Sequence, residues 1–275
     1  MCIFIFSLYS GVNMIKLVVS DLDNTLLDKN NKINDQTLIL LKECLSKGIF
    51  IVLGTGRLYQ SAKIYKDMIG EDTYIICYNG SLIVDNKDKI VFSKNLDVGL
   101  MKKIVDFCKL KNLYCQFYED GKILVEQVTD ETRIDPDLKN VNAIEAIDFD
   151  LYDFKPSPKA MIVVDPNLLG VYQEELRDFL DDEVYIAQSQ NYLIEIMPKD
   201  VDKGKSLEYL CDKLNIKPSE VMAIGDNTND REMLNFSSYS IAVANAVDDL
   251  KDTAFYVCEN ERSLGVAEAL NKFVL

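Results

Sequence analysis

Two carboxylates directly follow an apolar run near the start of the chain. In the stretch VVSDLDNTLLD, residues 18–28, Asp21 and Asp23 stand one residue apart at the end of a segment suited to a buried strand. Carboxylates placed against a hydrophobic core cost free energy unless a cation, a set of hydrogen bonds or a reaction uses them. The pair therefore indicates a functional site.

Polar clusters follow other apolar runs of the chain in the same way. Thr55 and Gly56 follow IFIVL, Asn79 follows YIIC, and Asp226 follows VMAIG, while Lys203 precedes a predicted helix. Taken singly, each has an ordinary explanation as a helix cap, a turn residue or a solvated surface lysine. Taken together at the carboxyl edge of one parallel sheet, where ligands of open α/β folds bind, they favour a shared site.

The residue types at this predicted site suit a hard cation and a phosphate group. Asp21, Asp23 and Asp226 offer oxygen ligands, and the chain has no histidine, which favours Mg²⁺ over zinc. Mg²⁺ and Lys203 would screen the phosphate charge, while Thr55 and backbone N–H groups would hold the phosphate oxygens. One carboxylate can then attack phosphorus, and a second one two residues further on can protonate the leaving oxygen.

Competing motifs fit the sequence poorly. GTGRLY has Tyr59 where a dinucleotide fingerprint needs its third glycine, and Lys199 stands where a P-loop ending at Gly204 needs its first glycine. DNTNDR and DLDNTL lack the glycine of a calcium-binding loop. The lack of histidine also excludes Ser-His-Asp and Cys-His hydrolases.

Composition narrows the class of protein further. The 275 residues, 48% of them hydrophobic, suffice for a large core, and the net charge of −15 disfavours a broad nucleic-acid surface. The seven scattered cysteines predict free thiols in a reducing cytoplasm. We predict that residues 1–13 are an N-terminal extension without a secretory signal, and that no segment crosses a membrane.

The alternation of apolar runs and amphipathic stretches predicts the elements that position these residues. Continuous apolar strands alternating with helices at both ends of the chain predict a doubly wound, Rossmann-like parallel sheet. Hairpin-like pairs and two helices in the middle predict a separate α+β domain. The predicted fold is therefore an α/β core formed by 14–81 and 190–275, with a cap domain inserted at 82–189.

The chain contains, in this order, the motifs DLDNTLL, LGTGR, YNG, DKGKSL and GDNTND. These motifs resemble those of the haloacid dehalogenase-like hydrolase superfamily, and within it those of the Cof-type phosphatase branch, which has a type IIB cap. The resemblance covers Met14 to Leu275. It implies that Asp21 is the nucleophile and Asp23 the general acid/base. It also implies metal binding by Asp21, Asp226, Asp230 and Asp23, the last through its carbonyl. The phosphate-binding residues implied or predicted are Thr55, Gly56, Asn79, Lys203 and Asn229.

We therefore predict a cytoplasmic, Mg²⁺-dependent phosphatase that hydrolyses small phosphorylated metabolites, such as sugar phosphates or phosphorylated cofactors, through an aspartyl-phosphate. No nucleic-acid or membrane partner is expected, and the oligomeric state stays open. Two alternatives remain: a phosphotransferase or mutase using the same intermediate, and a non-catalytic sensor of a phosphorylated ligand. In the predicted cap, Arg133, Lys155 and Lys159 are expected to be solvated rather than substrate-binding.

Overall fold

The computed structural model of the chain describes residues 14–133, 137 and 144–275. The predicted extension, residues 1–13, lies outside the described residues. The described strands are β1 (Leu17–Ser20), β2 (Phe50–Gly54), β3 (Thr73–Cys77), β4 (Leu82–Val84), β5 (Ile90–Ser93), β6 (Tyr114–Glu119), β7 (Lys122–Val125), β8 (Ile144–Ala146), β9 (Ala160–Val163), β10 (Val184–Gln190), β11 (Leu193–Pro198), β12 (Val221–Gly225), β13 (Tyr239–Ala242) and β14 (Tyr256–Val257).

The described α-helices accompany these strands and follow the predicted pattern at both ends of the chain. They are α1 (Asp35–Ser46), α2 (Tyr59–Ile69), α3 (Val98–Lys111), α4 (Asp130–Arg133), α5 (Leu169–Phe179), α6 (Lys203–Leu214), α7 (Arg231–Phe236), α8 (Asp248–Lys251) and α9 (Arg262–Phe273). Among the described residues, no helix is both long and apolar enough to cross a membrane.

The first sheet has eight strands in the order β14-β13-β12-β1-β2-β3-β4-β5. Every residue of β1 and of β12 is buried, as expected for central strands with both faces covered. Parallel pairing sets Ser20 opposite Leu53 on one side and opposite Ile224 on the other. This register brings the carboxyl ends of β1, β2 and β12 to one edge, and the predicted α/β fold with a parallel-sheet core is confirmed.

The second sheet has six strands in the order β10-β11-β9-β6-β7-β8, and all its pairings are antiparallel except that of β7 with β8. It has its own apolar core, in which Phe117 of β6 and Ile194 of β11 pack with Ile104 of α3 and Leu176 of α5. The separate core agrees with the predicted α+β character of the middle segment.

The strand pairings differ from the predicted domain limits at both junctions. The hairpin β4–β5, predicted to start the cap, extends the first sheet because the tight turn at Tyr78–Gly80 returns β4 antiparallel to β3. Strand β11, predicted within the core, completes the second sheet because it forms a hairpin with β10 and also pairs with β9. The sheets therefore change after Ser93 and after Pro198, and the limits 82–189 of the cap domain stay a prediction.

Two local features fix the start of α6 against the end of β3. The Asp202 side chain caps α6 by accepting a hydrogen bond from the Lys205 N–H at 2.7 Å, so Lys203 is the first residue of the helix that it was predicted to precede. Gly80 has a φ of +114°, and a Cβ atom there would stand 2.4 Å from the Asp202 carbonyl oxygen. A side chain at position 80 would separate the two segments.

Gly80→Ala should therefore lower the free energy of unfolding by at least about 2 kcal/mol, from backbone strain and the forced displacement of Asp202. Gly170→Ala is the matched control, because a Cβ atom at Gly170 meets nothing within 4 Å in helix α5. Alanine should leave that helix unchanged or stabilise it by up to about 1 kcal/mol. Urea unfolding of both variants checks this, and equal stabilities would contradict the close approach.

Candidate active site

Lys203 lies between two buried carboxylates at the carboxyl edge of the first sheet. Its Nζ donates to Asp21 Oδ1 at 2.6 Å and to Asp230 Oδ1 at 2.7 Å, and its side chain is 0% exposed. The other oxygen of Asp230 accepts the backbone N–H groups of Asp226 and Asn227 at 2.9 and 3.1 Å. Burial opposes the charge on Lys203, but the two carboxylates outweigh it and hold the pKa of Lys203 above its usual range.

Asp21, Asp226 and Asp230 form a buried acidic trio, in which one carboxylate oxygen of each lies within 4.8 Å of the others. Burial raises the pKa of Asp21 well above its usual range, despite the attraction of Lys203. Burial and the Asp230 carboxylate also raise the pKa of Asp226 to about 7, although the Thr25 hydroxyl donates to Asp226 at 2.6 Å. The like-charge repulsion and the oxygen ligands make the trio fit a hard metal ion.

The Asp23 carboxylate is paired with Arg57 and is also close enough to Asp21 and Asp226 to help raise the pKa of both. The guanidinium Nε and Nη2 donate to the two Asp23 oxygens at 2.8 and 2.6 Å, and the guanidinium carbon stands 5.5 Å from the centre of the Tyr65 ring. Burial opposes the charge on Arg57, but the Asp23 carboxylate outweighs it and raises the pKa of Arg57. Arg57 belongs to the motif LGTGR, but its pairing with Asp23 was not predicted. Metal binding through the Asp23 carbonyl stays a prediction.

The predicted phosphate-binding residues occupy two layers. Gly56 and Asn229 line the cavity beside Asp21. Thr55 lies behind that wall, where its hydroxyl accepts the Arg57 N–H at 3.1 Å. Asn79 is also buried and accepts from the Asn229 side chain at 3.2 Å, while its backbone takes a left-handed φ of 52°. Asn79 is therefore a turn residue, as its ordinary explanation predicts, and it also lies near the site.

A buried ion pair connects the second sheet to this edge of the first. Lys159 Nζ, preceding β9, donates to Glu195 Oε1 at 2.7 Å and to the Gly56 carbonyl at 2.9 Å. The other Glu195 oxygen accepts from Asn79 at 3.0 Å. Burial opposes the charge on Glu195, but Lys159 outweighs it and lowers the pKa of Glu195.

The expectation that Lys159 is solvated is wrong, because both side chains of its ion pair are only 4% exposed. Glu195 was missed entirely, since strand β11 was not predicted as part of the second sheet. Lys155 and Arg133 are exposed, as expected, and pair with Asp120 and Asp130.

A cavity of about 340 Å³ lies between the two sheets, a volume suited to a small ligand. The first-sheet side of its wall carries the carboxylates Asp21, Asp23 and Asp226. The second-sheet side adds apolar surface from Met161, Leu193 and the neighbouring Tyr192. Two members of the acidic trio, Asp21 and Asp226, thus border one cavity of small-molecule size together with the carboxylate of Asp23.

The chain is similar over most of its length to known hydrolases. A family model described as haloacid dehalogenase-like hydrolase matches residues 18–270. The 5-amino-6-(5-phospho-D-ribitylamino)uracil phosphatase of Bacillus subtilis is 28% identical over 94% of this chain and 98% of its own length. The phosphoglycolate phosphatase of Methanothermobacter thermautotrophicus is 26% identical over 94% of this chain and 99% of its own.

A solved structure shows the same likeness in three dimensions. The crystal structure of a haloacid dehalogenase-like hydrolase from Bacteroides thetaiotaomicron matches with a TM-score of 0.84 at 27% identity, covering 94% of this chain and 99% of that one. The two-sheet arrangement that encloses the cavity is therefore shared with a known hydrolase.

The raised pKa of Asp226 predicts a pH-dependent stability in the metal-free protein. Because the folded state disfavours the charged form, the contribution of Asp226 to wild-type stability should be greatest near pH 4 and be lost as the pH rises through about 7. Asp226→Asn keeps the acceptor for Thr25 without the charge. In urea unfolding with a chelator, this variant should match wild type near pH 4 and exceed it near pH 8 by up to about 4 kcal/mol. A wild-type advantage that grows with pH would contradict this.

Lys159→Met should lower the free energy of unfolding by about 3–5 kcal/mol, because it leaves the Glu195 carboxylate buried without its cation. Lys155→Met is the control, since that side chain is 65% exposed and its ion pairs contribute at most about 1 kcal/mol. Chemical unfolding of both variants provides the measurement. A similar small loss for both lysines would show that the buried pair does not hold the two sheets together.

Proposed function

The chain belongs to the haloacid dehalogenase-like hydrolase family and is a phosphatase, and on that premise we propose that it hydrolyses small phosphorylated metabolites with Mg²⁺ through an aspartyl-phosphate. The family match bears out the resemblance predicted from the five motifs. The observation that carries the proposal is the contact of Lys203 with Asp21 at 2.6 Å, beside the acidic trio and at the wall of the cavity.

Asp21 is proposed as the nucleophile. One of its oxygens forms a bond to phosphorus while the bond from phosphorus to the leaving oxygen breaks, which gives the aspartyl-phosphate and the free alcohol. Lys203, with Thr55 and the backbone N–H of Gly56, would hold the phosphate oxygens as their charge shifts. Lys203 already contacts Asp21, so the cation stands at the point where charge develops.

Asp23 is proposed as the general acid and base. In its protonated form it gives a proton to the leaving oxygen; as a carboxylate it then takes a proton from water, which attacks phosphorus and breaks the bond to Asp21. Inorganic phosphate leaves and both carboxyl groups return to their starting states. The two hydrogen bonds from Arg57 fix the orientation of Asp23.

Asp21, Asp226 and Asp230, with the carbonyl of Asp23, are the proposed ligands of Mg²⁺. The bound ion would neutralise part of the phosphate charge and so lower the repulsion felt by the attacking carboxylate. The oxygen ligands and the absence of histidine from the chain support Mg²⁺ over softer metals.

The two named relatives act on a phosphorylated ribitylaminouracil and on phosphoglycolate, as their names state. Both are small phosphorylated molecules, which supports the same class of substrate here. We also propose a cytoplasmic location, supported by six described cysteines that are all free and buried. The cavity size fits a metabolite substrate, and no role for nucleic acid is proposed.

With Mg²⁺ present, Asp21→Asn should lower phosphate release by at least about a thousandfold on every substrate of a broad phosphate-ester panel, because the amide is a poor nucleophile. Asp23→Asn should lower it about a hundred- to ten-thousandfold. Asp252→Asn, an exposed carboxylate outside the cavity, should leave the rate unchanged.

The same assay separates the alternatives. Repeating it with candidate acceptor alcohols would reveal phosphotransfer as phosphate that moves to the acceptor instead of being released. If wild type and Asp21→Asn release phosphate at the same negligible rate across the panel, the proposed hydrolysis is wrong and the non-catalytic sensor is the favoured alternative.

A further inference from the structure

Arg262 lines the cavity with a guanidinium group that forms no ion pair with an acid in the described part of the chain. Of the described cations lining the cavity, Arg57 pairs with Asp23 and Lys159 with Glu195, whereas no ion pair joins Arg262 or Lys29 to a described acid. The Arg262 Nε is buried and has no hydrogen-bond partner among the described residues. A buried donor on a charged group without a partner is costly and points to a ligand that supplies one.

The backbone of Arg262 is held in an unfavourable conformation. Its φ of +53° lies in the left-handed region, which costs an arginine free energy and which asparagine tolerates better. The Arg262 N–H donates to Asn245 Oδ1 at 2.8 Å, and Asn245 Nδ2 donates to the Asn24 carbonyl at 2.9 Å. Two hydrogen bonds thus fix Arg262 relative to the residue that follows Asp23.

This connection places Arg262 on the leaving-group side of the reaction. In the proposed function Asp23 protonates the leaving oxygen, so the leaving group must lie beside the Asp23–Asn24 segment. The phosphate itself would be held by Lys203, which contacts Asp21. Arg262, whose backbone is linked to Asn24 through the Asn245 side chain, therefore borders the organic part of the substrate.

We propose that Arg262 determines specificity by binding a second anionic group, a carboxylate or a second phosphate, on the leaving group of the substrate. A planar guanidinium with five donors matches both kinds of anion. Lys29, an exposed cation, also lines the cavity. The inference rests on the proposed function, because that function defines which side of the cavity holds the leaving group.

Two matched pairs of probes test this and distinguish the two anions. The first pair is 3-phosphoglycerate and glycerol 3-phosphate; the second is glucose 1,6-bisphosphate and glucose 6-phosphate. For each pair, kcat/KM is measured with Mg²⁺, and Kd is measured by calorimetry in an Asp21→Asn background that does not turn over. The preference is a ratio of kcat/KM, or of 1/Kd. The value for the probe with the second anionic group is divided by the value for the probe without it.

Three variants complete the design. Arg262→Asn removes the charge and suits the left-handed backbone, so its melting temperature should equal or exceed that of wild type. Arg262→Lys keeps the charge without the planar fork. Arg177→Gln, an exposed arginine of α5 outside the cavity, is the matched control.

Wild type should prefer the anionic probe of at least one pair by about ten- to a hundredfold, in kcat/KM and in Kd. Arg262→Asn should bring that ratio close to one, Arg262→Lys should fall between, and Arg177→Gln should keep the wild-type ratio. An unchanged ratio in Arg262→Asn, or no wild-type preference in either pair, overturns the inference. Failure of the proposed function has a different signature: wild type hydrolyses none of the probes, while the calorimetric ratio still decides the role of Arg262.

Discussion

The contacts of Lys203 with Asp21 and Asp230 are the interaction on which the rest of the candidate site depends. They join residues 182 and 27 positions apart in sequence at one edge of the first sheet. One buried ammonium faces three buried carboxylates, and burial, together with the repulsion between the carboxylates, raises the pKa values of Asp21 and Asp226. A metal ion would supply the missing positive charge, so the feature that makes this edge unfavourable for folding makes it suitable for phosphate chemistry.

The second sheet lines the cavity and also closes one part of it. Lys159 donates to the carbonyl of Gly56, and Glu195 accepts from Asn79, so the ion pair between them rests directly on two loops of the first sheet. This contact encloses the cavity on the side of the phosphate-binding residues, where exclusion of water strengthens electrostatic interactions. The wall of the cavity also carries Arg262, whose Nε has no hydrogen-bond partner among the described residues.

The sequence allowed the sheet edge and its carboxylates to be predicted, because continuous apolar strands and the position of each polar cluster are local signals. The pairing of Asp23 with Arg57 and of Lys159 with Glu195 joins residues 34 and 36 positions apart, and depends on how separate elements pack. A lysine that will be buried looks the same in sequence as a solvated one. The hairpin β4–β5 was misassigned for a related reason, since its local pattern does not reveal which sheet it extends.

The central claim is that Asp21 carries the phosphoryl group during turnover. The most direct test is rapid acid quenching of wild-type protein mixed with Mg²⁺ and a hydrolysed substrate, followed by mass-spectrometric mapping of the trapped phosphoryl group. The phosphoryl group is expected on the peptide that contains Asp21. It should be absent from that peptide in Asp21→Asn. A phosphoryl group on another residue, or Asp21→Asn protein that turns over at the wild-type rate, would contradict the account.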